Sequence, residues 1–258
     1  MSDVRPLILV TNDDGIFAKG IRSLVEAVTE FGDVVIVAPD SPQSGMGHAV
    51  TIDKILRLKP VKFPIEGVSE AFETNGTPVD CIKLAIYEVL KGRRPDLIVS
   101  GINHGSNSSI NVIYSGTMSA AVEGAVENIP SIGFSLLNHD ADADFEASQW
   151  AVKSIVAKAL ENGIPQGTCL NVNIPNIGRD QIEGIKICRQ AKAYWEDAFE
   201  KRTTPSGKDY FWLTGVFSVH DKGEDTDEWA LQHNFVSVVP THYDLTAHHV
   251  LGQLNEWD

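Results

Sequence analysis

The 258 residues, 43% of them hydrophobic, suffice to bury the core of one large α/β domain or of a domain with an appendage. With 35 acidic residues against 21 basic ones, the formal net charge of -14 opposes tight binding to nucleic-acid polymers and to anionic membrane surfaces. A small anionic substrate is admissible where a cation offsets the local field, and three widely separated cysteines, Cys81, Cys169 and Cys188, suggest neither a disulfide framework nor a zinc site and fit a reducing cytoplasm.

Residues 1–5 carry no basic leader, and no apolar run approaches the roughly 20 residues of a membrane span, so a cytoplasmic, unexported protein is expected. From residue 7 to 135 short β-branched runs alternate with helical periodicity, the pattern of parallel strands joined by helical crossovers. The first strand covers residues 7–11, and Ile21, Leu24, Val25 and Val28 then fall at helical spacing. Residues 34–37 read as a second strand ended by Pro39, and the irregular stretch 53–73 as a hairpin-like excursion rather than another crossover. Thr77 is placed to cap a helix that starts with Pro78 and buries Val79, Ile82, Ile86 and Val89.

A strand at 97–99 leads into a glycine- and asparagine-rich loop, followed by an alanine-rich helix from about Thr117 to Val126. A short strand at 132–134, a helix from about Phe145 to Leu160 and an alternating strand at 170–174 closed by Pro175 complete the pattern. Beyond Gly184 the character changes, with aromatics such as Tyr210, Phe211, Trp212 and Phe235 and an acidic stretch at 221–228, so a C-terminal appendage is expected with its boundary near residues 176–190.

In an open parallel sheet ligands bind beyond the carboxyl ends of the strands. The first strand ends in Asn12, Asp13, Asp14 and Gly15; two adjacent carboxylates at the edge of a core repel each other and lose solvation, and a divalent cation relieves both costs. The second strand runs out through Asp40 and Ser41 to Ser44 and Gly45, and the strand at 97–99 through Ser100 and Gly101 to Asn103. Hard oxygen donors of this kind suit magnesium, manganese or calcium. The loop 101–117 carries Asn103, Asn107, Ser115, Gly116 and Thr117 and opens into a helix, so Ser115-Gly116-Thr117 reads as a phosphate cradle at a helix N-terminus.

Four segments, ILVTNDDGIFAKGI (8–21), VAPDSPQSGMGHAVTI (37–52), TNGTPVDCIKLA (74–85) and DLIVSGINHGSNSSINVIYSGTMSAAVEGA (96–125), resemble the SurE family of nucleotidases. NVNIP (171–175), PSGKDYFWLTG (205–215) and DLTA (244–247) are similar to later landmarks of that family, in the same order. The resemblance implies a Rossmann-like, mostly parallel α/β sheet with helices on both faces over residues 1–180 and an extension used in oligomerisation over 181–258. It also implies metal-dependent hydrolysis of nucleoside 5'-monophosphates, with 3'-monophosphates and short polyphosphate as further substrates, in a homodimer or homotetramer. Carried over by motif, Asp13, Asp14, Ser44 and Asn103 hold one magnesium or manganese ion per subunit. Asp13 and Asp14 are then the catalytic pair, and Asn103, Asn107, Ser115, Gly116 and Thr117 face the phosphate or the rest of the substrate. Relatives often carry acidic residues where this chain has Ile110-Asn111, so no role falls there.

Plainer readings stand beside these. Asp13-Asp14-Gly15 is also a capped turn, Ser44 a loop serine, Asn103 and Asn107 turn formers, and Ser115-Gly116-Thr117 a helix cap. His48 and His104 are read as hydrogen-bonded structural histidines before general acids, and His248-His249 as solvent-facing in a terminal helix. Tyr194, Trp195, Tyr210, Phe211 and Trp212 are read as packing or subunit-contact residues. An aspartyl-nucleophile phosphatase requires an acid two residues before Asp14, where Asn12 stands, and a dinucleotide oxidoreductase requires a GxGxxG that the first turn lacks. A nucleotide-binding module without hydrolytic activity is the alternative that remains.

Overall fold

The computed structural model describes residues 5–257; residues 1–4, part of the stretch in which no leader is expected, and residue 258 lie outside the described residues. Eleven strands and six α-helices follow in order: β1 (Leu7–Thr11), α1 (Lys19–Val28), β2 (Asp33–Pro39), β3 (Leu58–Pro60), β4 (Val68–Thr74), α2 (Pro78–Leu84), β5 (Leu97–His104), α3 (Gly116–Val126), β6 (Ser131–Leu136), α4 (Glu146–Asn162), β7 (Thr168–Ile174), β8 (Gly184–Ile187), β9 (Ala193–Thr203), β10 (Asp209–Val219), α5 (Asp227–Gln232), β11 (Phe235–His242) and α6 (Leu251–Leu254). Nine strands form one sheet in the order β3-β4-β2-β1-β5-β6-β7-β11-β8, parallel from β4 to β7.

Alternation along the buried strands sends side chains to both faces. Ile8 and Val10 pack with α1 and α4, whereas Leu9, Val35 and Ile98 pack with α2 and α3, so both faces are covered as a parallel sheet requires. From β1 the chain moves one way to β2 and the other way to β5, which makes the β1–β5 boundary the switch point where ligands bind in such sheets.

Three expectations meet corrections. The 53–73 excursion does contain an antiparallel pair, with Leu58 opposite Thr74, but β4 also pairs in parallel with β2, so the segment is a crossover too. The α2 helix continues through Ala85–Val89 as a π-helix, its wider turn closed by Leu90 N donating to Ala85 O at 2.8 Å. That extra residue rotates the apolar phase: Ala85 and Leu90 are buried, while Ile86 and Val89 are only partly so. Finally, β5 does not stop at Val99 but runs to His104, past an irregularity in its pairing with β6 between Ser100 and Asn103. Gly101 and Asn103 read as loop residues because a bulged strand uses the same residue types.

Downstream of β7, β11 lies antiparallel to it and carries β8 on its far edge. The β9–β10 hairpin is a separate two-stranded ribbon with eleven-residue strands, and it exposes Phe199, Phe211, Trp212, Leu213 and Val216. His248 and His249 are exposed in a 3-10 turn before α6, and His248 Nε2 lies 2.7 Å from Asp244 Oδ2. No described helix is long and apolar enough to cross a membrane.

Candidate active site

At the carboxyl end of β1 the chain turns through Gly15, whose φ of 103° is a conformation that side chains rarely adopt, and Asn12 Nδ2 donates to Gly15 O at 2.9 Å. This turn presents Asp13 and Asp14 at the switch point. The loop after β2 is tied to it by Gln43 N donating to Asp13 O at 2.7 Å, which brings Ser44 alongside. Asn103 arrives from the bulged end of β5. Its Nδ2 donates to His104 O at 3.1 Å and Gly105 O at 2.8 Å, leaving Oδ1 uncommitted.

Six of the predicted residues, Asp13, Asp14, Ser44, Asn103, Asn107 and Ser115, line one cavity of about 300 Å³. The other two stand behind its wall. Gly116 backs directly onto Asp13, where an added Cβ would lie 2.7 Å from Asp13 Cβ and 2.8 Å from Oδ2. Thr117 is fully buried, and its hydroxyl donates to Asp13 Oδ1 at 2.5 Å, so it orients a carboxylate instead of facing the cavity. Asn107 is heavily committed: its Nδ2 donates to Ser135 Oγ, its amide N to Asn173 Oδ1, and its carbonyl accepts from Asn171 Nδ2, each at 2.8 Å. Ser115 caps α3, its Oγ accepting from Met118 N at 3.0 Å, which leaves the hydroxyl proton free to donate.

Burial pushes the Asp13 carboxyl up to about 6; the Thr117 hydrogen bond opposes this and the Asp14 charge adds to it. Burial also raises Asp14, against the attraction of His104. Asp14 Oδ2 is buried without a hydrogen-bond partner. Two anions held where each is costly, one with an orphaned oxygen, fit a cation between them. Among the described residues no three His, Cys, Asp or Glu side chains cluster as ligands, and the oxygen donors that line the cavity beside the two carboxylates include the neutral ones of Ser44 and Asn103. That set suits a hard dication.

His104 packs edge-on against Phe145, with ring centroids 5.4 Å apart, and lines the cavity with an unpartnered Nδ1. His48 is paired with Glu123 outside the cavity, and Asn75 holds the 55–57 segment through its side chain. Apart from glycines, four lining residues escaped the sequence reading: Ser106, Asn111, Tyr114 and His139. His139 follows the carboxyl end of β6, and the strand-end rule applied to that strand would have found it. Asn111 Oδ1 accepts from Trp195 Nε1 at 2.8 Å, which ties the cavity rim to the base of the β9–β10 hairpin.

The sequence profile described as "Survival protein SurE" matches residues 8–197. A protein from Flavobacterium psychrophilum named 5'-nucleotidase SurE is 61% identical over 254 residues, covering 98% of each chain. Its namesake from Flavobacterium johnsoniae is 60% identical over 100% of this chain and 98% of its own. The crystal structure of the SurE protein from Aquifex aeolicus superposes with a TM-score of 0.84 at 39% identity, covering 97% of this chain and 99% of that one. On this evidence of sequence and fold together, the chain belongs to the SurE family.

Proposed function

We propose that the chain is a metal-dependent nucleotidase that hydrolyses nucleoside 5'-monophosphates to nucleoside and phosphate in the cytoplasm, and that 3'-monophosphates and short polyphosphate enter the same site. The observation that carries this reading is the pair of buried Asp13 and half-buried Asp14, with Asp14 Oδ2 unpartnered, at a polar cavity beside the N-terminus of α3. The names of the Flavobacterium relatives support it.

In this reading Asp13, Asp14, Ser44 and Asn103 hold one magnesium or manganese ion. When bound, such an ion supplies Lewis acidity toward a phosphoryl oxygen and lowers the pKa of an adjacent water. Thr117 holds Asp13 in the required rotamer. The free hydroxyl proton of Ser115, at the N-terminus of α3, faces the phosphoryl oxygens, where charge accumulates during in-line displacement. The Asp13–Asp14 pair is the acceptor at hand for the proton of the attacking water. Self-association into a dimer or tetramer falls to the exposed apolar side chains of the β9–β10 hairpin.

Phosphate release from a panel of nucleoside 5'- and 3'-monophosphates, with manganese or magnesium and then with EDTA, tests the proposal. Release with either metal and its loss in chelator is the expected result; no metal-dependent release from any member would leave a binding module. Gly116→Ala sharpens the site assignment. The new Cβ forces Asp13 aside, which should lower kcat about 10²-fold through misplacement of the metal's ligand and cost about 1–3 kcal/mol of stability by overpacking. Turnover within twofold of wild type would detach Asp13 from the chemistry.

A further inference from the structure

We propose that His48, Glu123 and Lys83 form a clamp that positions Ser44, and so set how tightly the site holds its divalent cation; the inference rests on the metal-site reading above. Ser44 lies in a long stretch without regular structure, between the end of β2 and the start of β3. Gly45 and Gly47 follow it at φ 71° and 53°, so the local backbone alone does little to restrict where Ser44 points. Backbone tethers exist on either side: Gln43 N to Asp13 O at 2.7 Å, Gly47 N to Tyr114 O at 3.2 Å and Thr77 Oγ1 to Ala49 O at 2.7 Å. From Ser44 to Val50, His48 is the side chain that makes a hydrogen bond among the described residues, its Nε2 lying 2.9 Å from Glu123 Oε2.

Glu123 is an unusual anchor for a loop. It is 3% exposed, yet its second oxygen, Oε1, is bound by Lys83 Nζ from α2, so each carboxylate oxygen has one nitrogen donor. An apolar residue would serve packing alone at lower desolvation cost, whereas a buried, doubly bound carboxylate fixes a direction. Burial pushes the Glu123 carboxyl up, but the hydrogen bonds from His48 and Lys83 outweigh it and hold it below its ordinary value. Glu123 sits on α3, the helix that also carries the Ser115 cap and the Asp13-orienting Thr117. One rigid element thereby references both Asp13 and the Ser44 loop, and an outer residue that orients a ligand this way changes metal affinity when it is lost.

The test is binding of manganese to the substrate-free protein, followed by electron paramagnetic resonance of the free ion, together with kcat and KM across manganese concentrations. His48→Ala is expected to raise the manganese Kd about 10-fold or more, with kcat recovered at saturating metal. His48→Gln, which retains a donor toward Glu123, should return the Kd to within about threefold of wild type, an effect that general loosening of the loop does not predict. Glu123→Gln, which keeps shape and volume, should weaken binding as His48→Ala does. The clamp is overturned if His48→Ala binds manganese as wild type does while Ser44→Ala weakens it, or if His48→Gln is as weak as His48→Ala. If neither Ser44→Ala nor Asp14→Asn changes manganese binding, the metal-site reading itself fails, and the clamp with it.

Discussion

Asp13→Asn is expected to abolish turnover while making the metal-free protein more stable. Asparagine keeps the shape of the side chain and an oxygen for the Thr117 hydroxyl, but removes a buried charge that burial and the neighbouring Asp14 both disfavour. Losing one anionic ligand should cost several kcal/mol of transition-state stabilisation, a fall of about 10³-fold or more in kcat/KM. The stability change has the opposite sign. An acid whose folded pKa rises from 3.8 to about 6 binds protons more tightly folded than unfolded, so its contribution falls as pH rises through that interval. Above pH 6 the penalty is complete, on the order of 2–3 kcal/mol.

Chemical denaturation in EDTA at a series of pH values should therefore show the variant and wild type nearly equal near pH 4, and the variant ahead by that margin at pH 7. Taking the difference between the two proteins cancels other titrations, such as that of Glu123, whose lowered pKa acts in the reverse direction at acid pH. Manganese should reverse the order in favour of the wild type, because a ligand that binds the folded state stabilises it by RT ln(1 + [L]/Kd). A variant less stable than wild type at pH 7 in EDTA would mean that Asp13 is held by a compensation other than the absent cation.

The part of this site that was legible in sequence is the part that depends on strand ends. Asp13, Asp14 and Asn103 each stand within a few residues of a β-branched run, and the rule that ligands gather at the switch point converts these local patterns into one place. Ser115 was legible because a helix cap and an anion site draw on the same groups. What stayed hidden depends on contacts between residues far apart in the chain. Nothing local distinguishes Thr117, which turns away from the cavity to bind Asp13, from a residue that faces a phosphate. Glu123 reads as one polar residue in an alanine-rich helix until His48 and Lys83 are seen on either oxygen. Asn107 likewise reads as a loop asparagine, whereas Asn171 and Asn173 of β7 hold it from across the sheet. The return of β11 beside β7 was equally invisible, since its pairing is antiparallel and comes after a hairpin that reads as a change of domain character.

Asp227→Ala should be the most destabilising single change among the polar residues around the site. Asp227 is fully buried at the start of α5 and accepts three backbone hydrogen bonds: from Ser109 N to Oδ2 at 2.8 Å, and to Oδ1 from Ala191 N at 2.8 Å and Glu228 N at 2.9 Å. It joins the loop between β5 and α3, the segment leading into β9, and its own helix at one point. Burial pushes its carboxyl up, and the three amides counter that. Ser109 has φ at 51°, a conformation a serine rarely adopts, and its Oγ donates to Ala191 O at 2.9 Å, so the loop depends on these bonds to hold its shape. Alanine leaves buried amides without acceptors, at about 1–3 kcal/mol each, for a total on the order of 3–5 kcal/mol and a fall in Tm of roughly 10 °C. Asp227→Asn keeps one acceptor oxygen but turns an amide donor toward another donor, and should fall between. Because Ser108 Oγ also binds Glu228 Oε1 and Ser106 precedes it at the cavity wall, hydrogen exchange should rise at residues 106–109 before the main sheet loosens, and KM should rise with it. A Tm within 2–3 °C of wild type, the shift of about 1 kcal/mol, would mean that water replaces the carboxylate at no cost and that the loop is held by the Asn107 network alone.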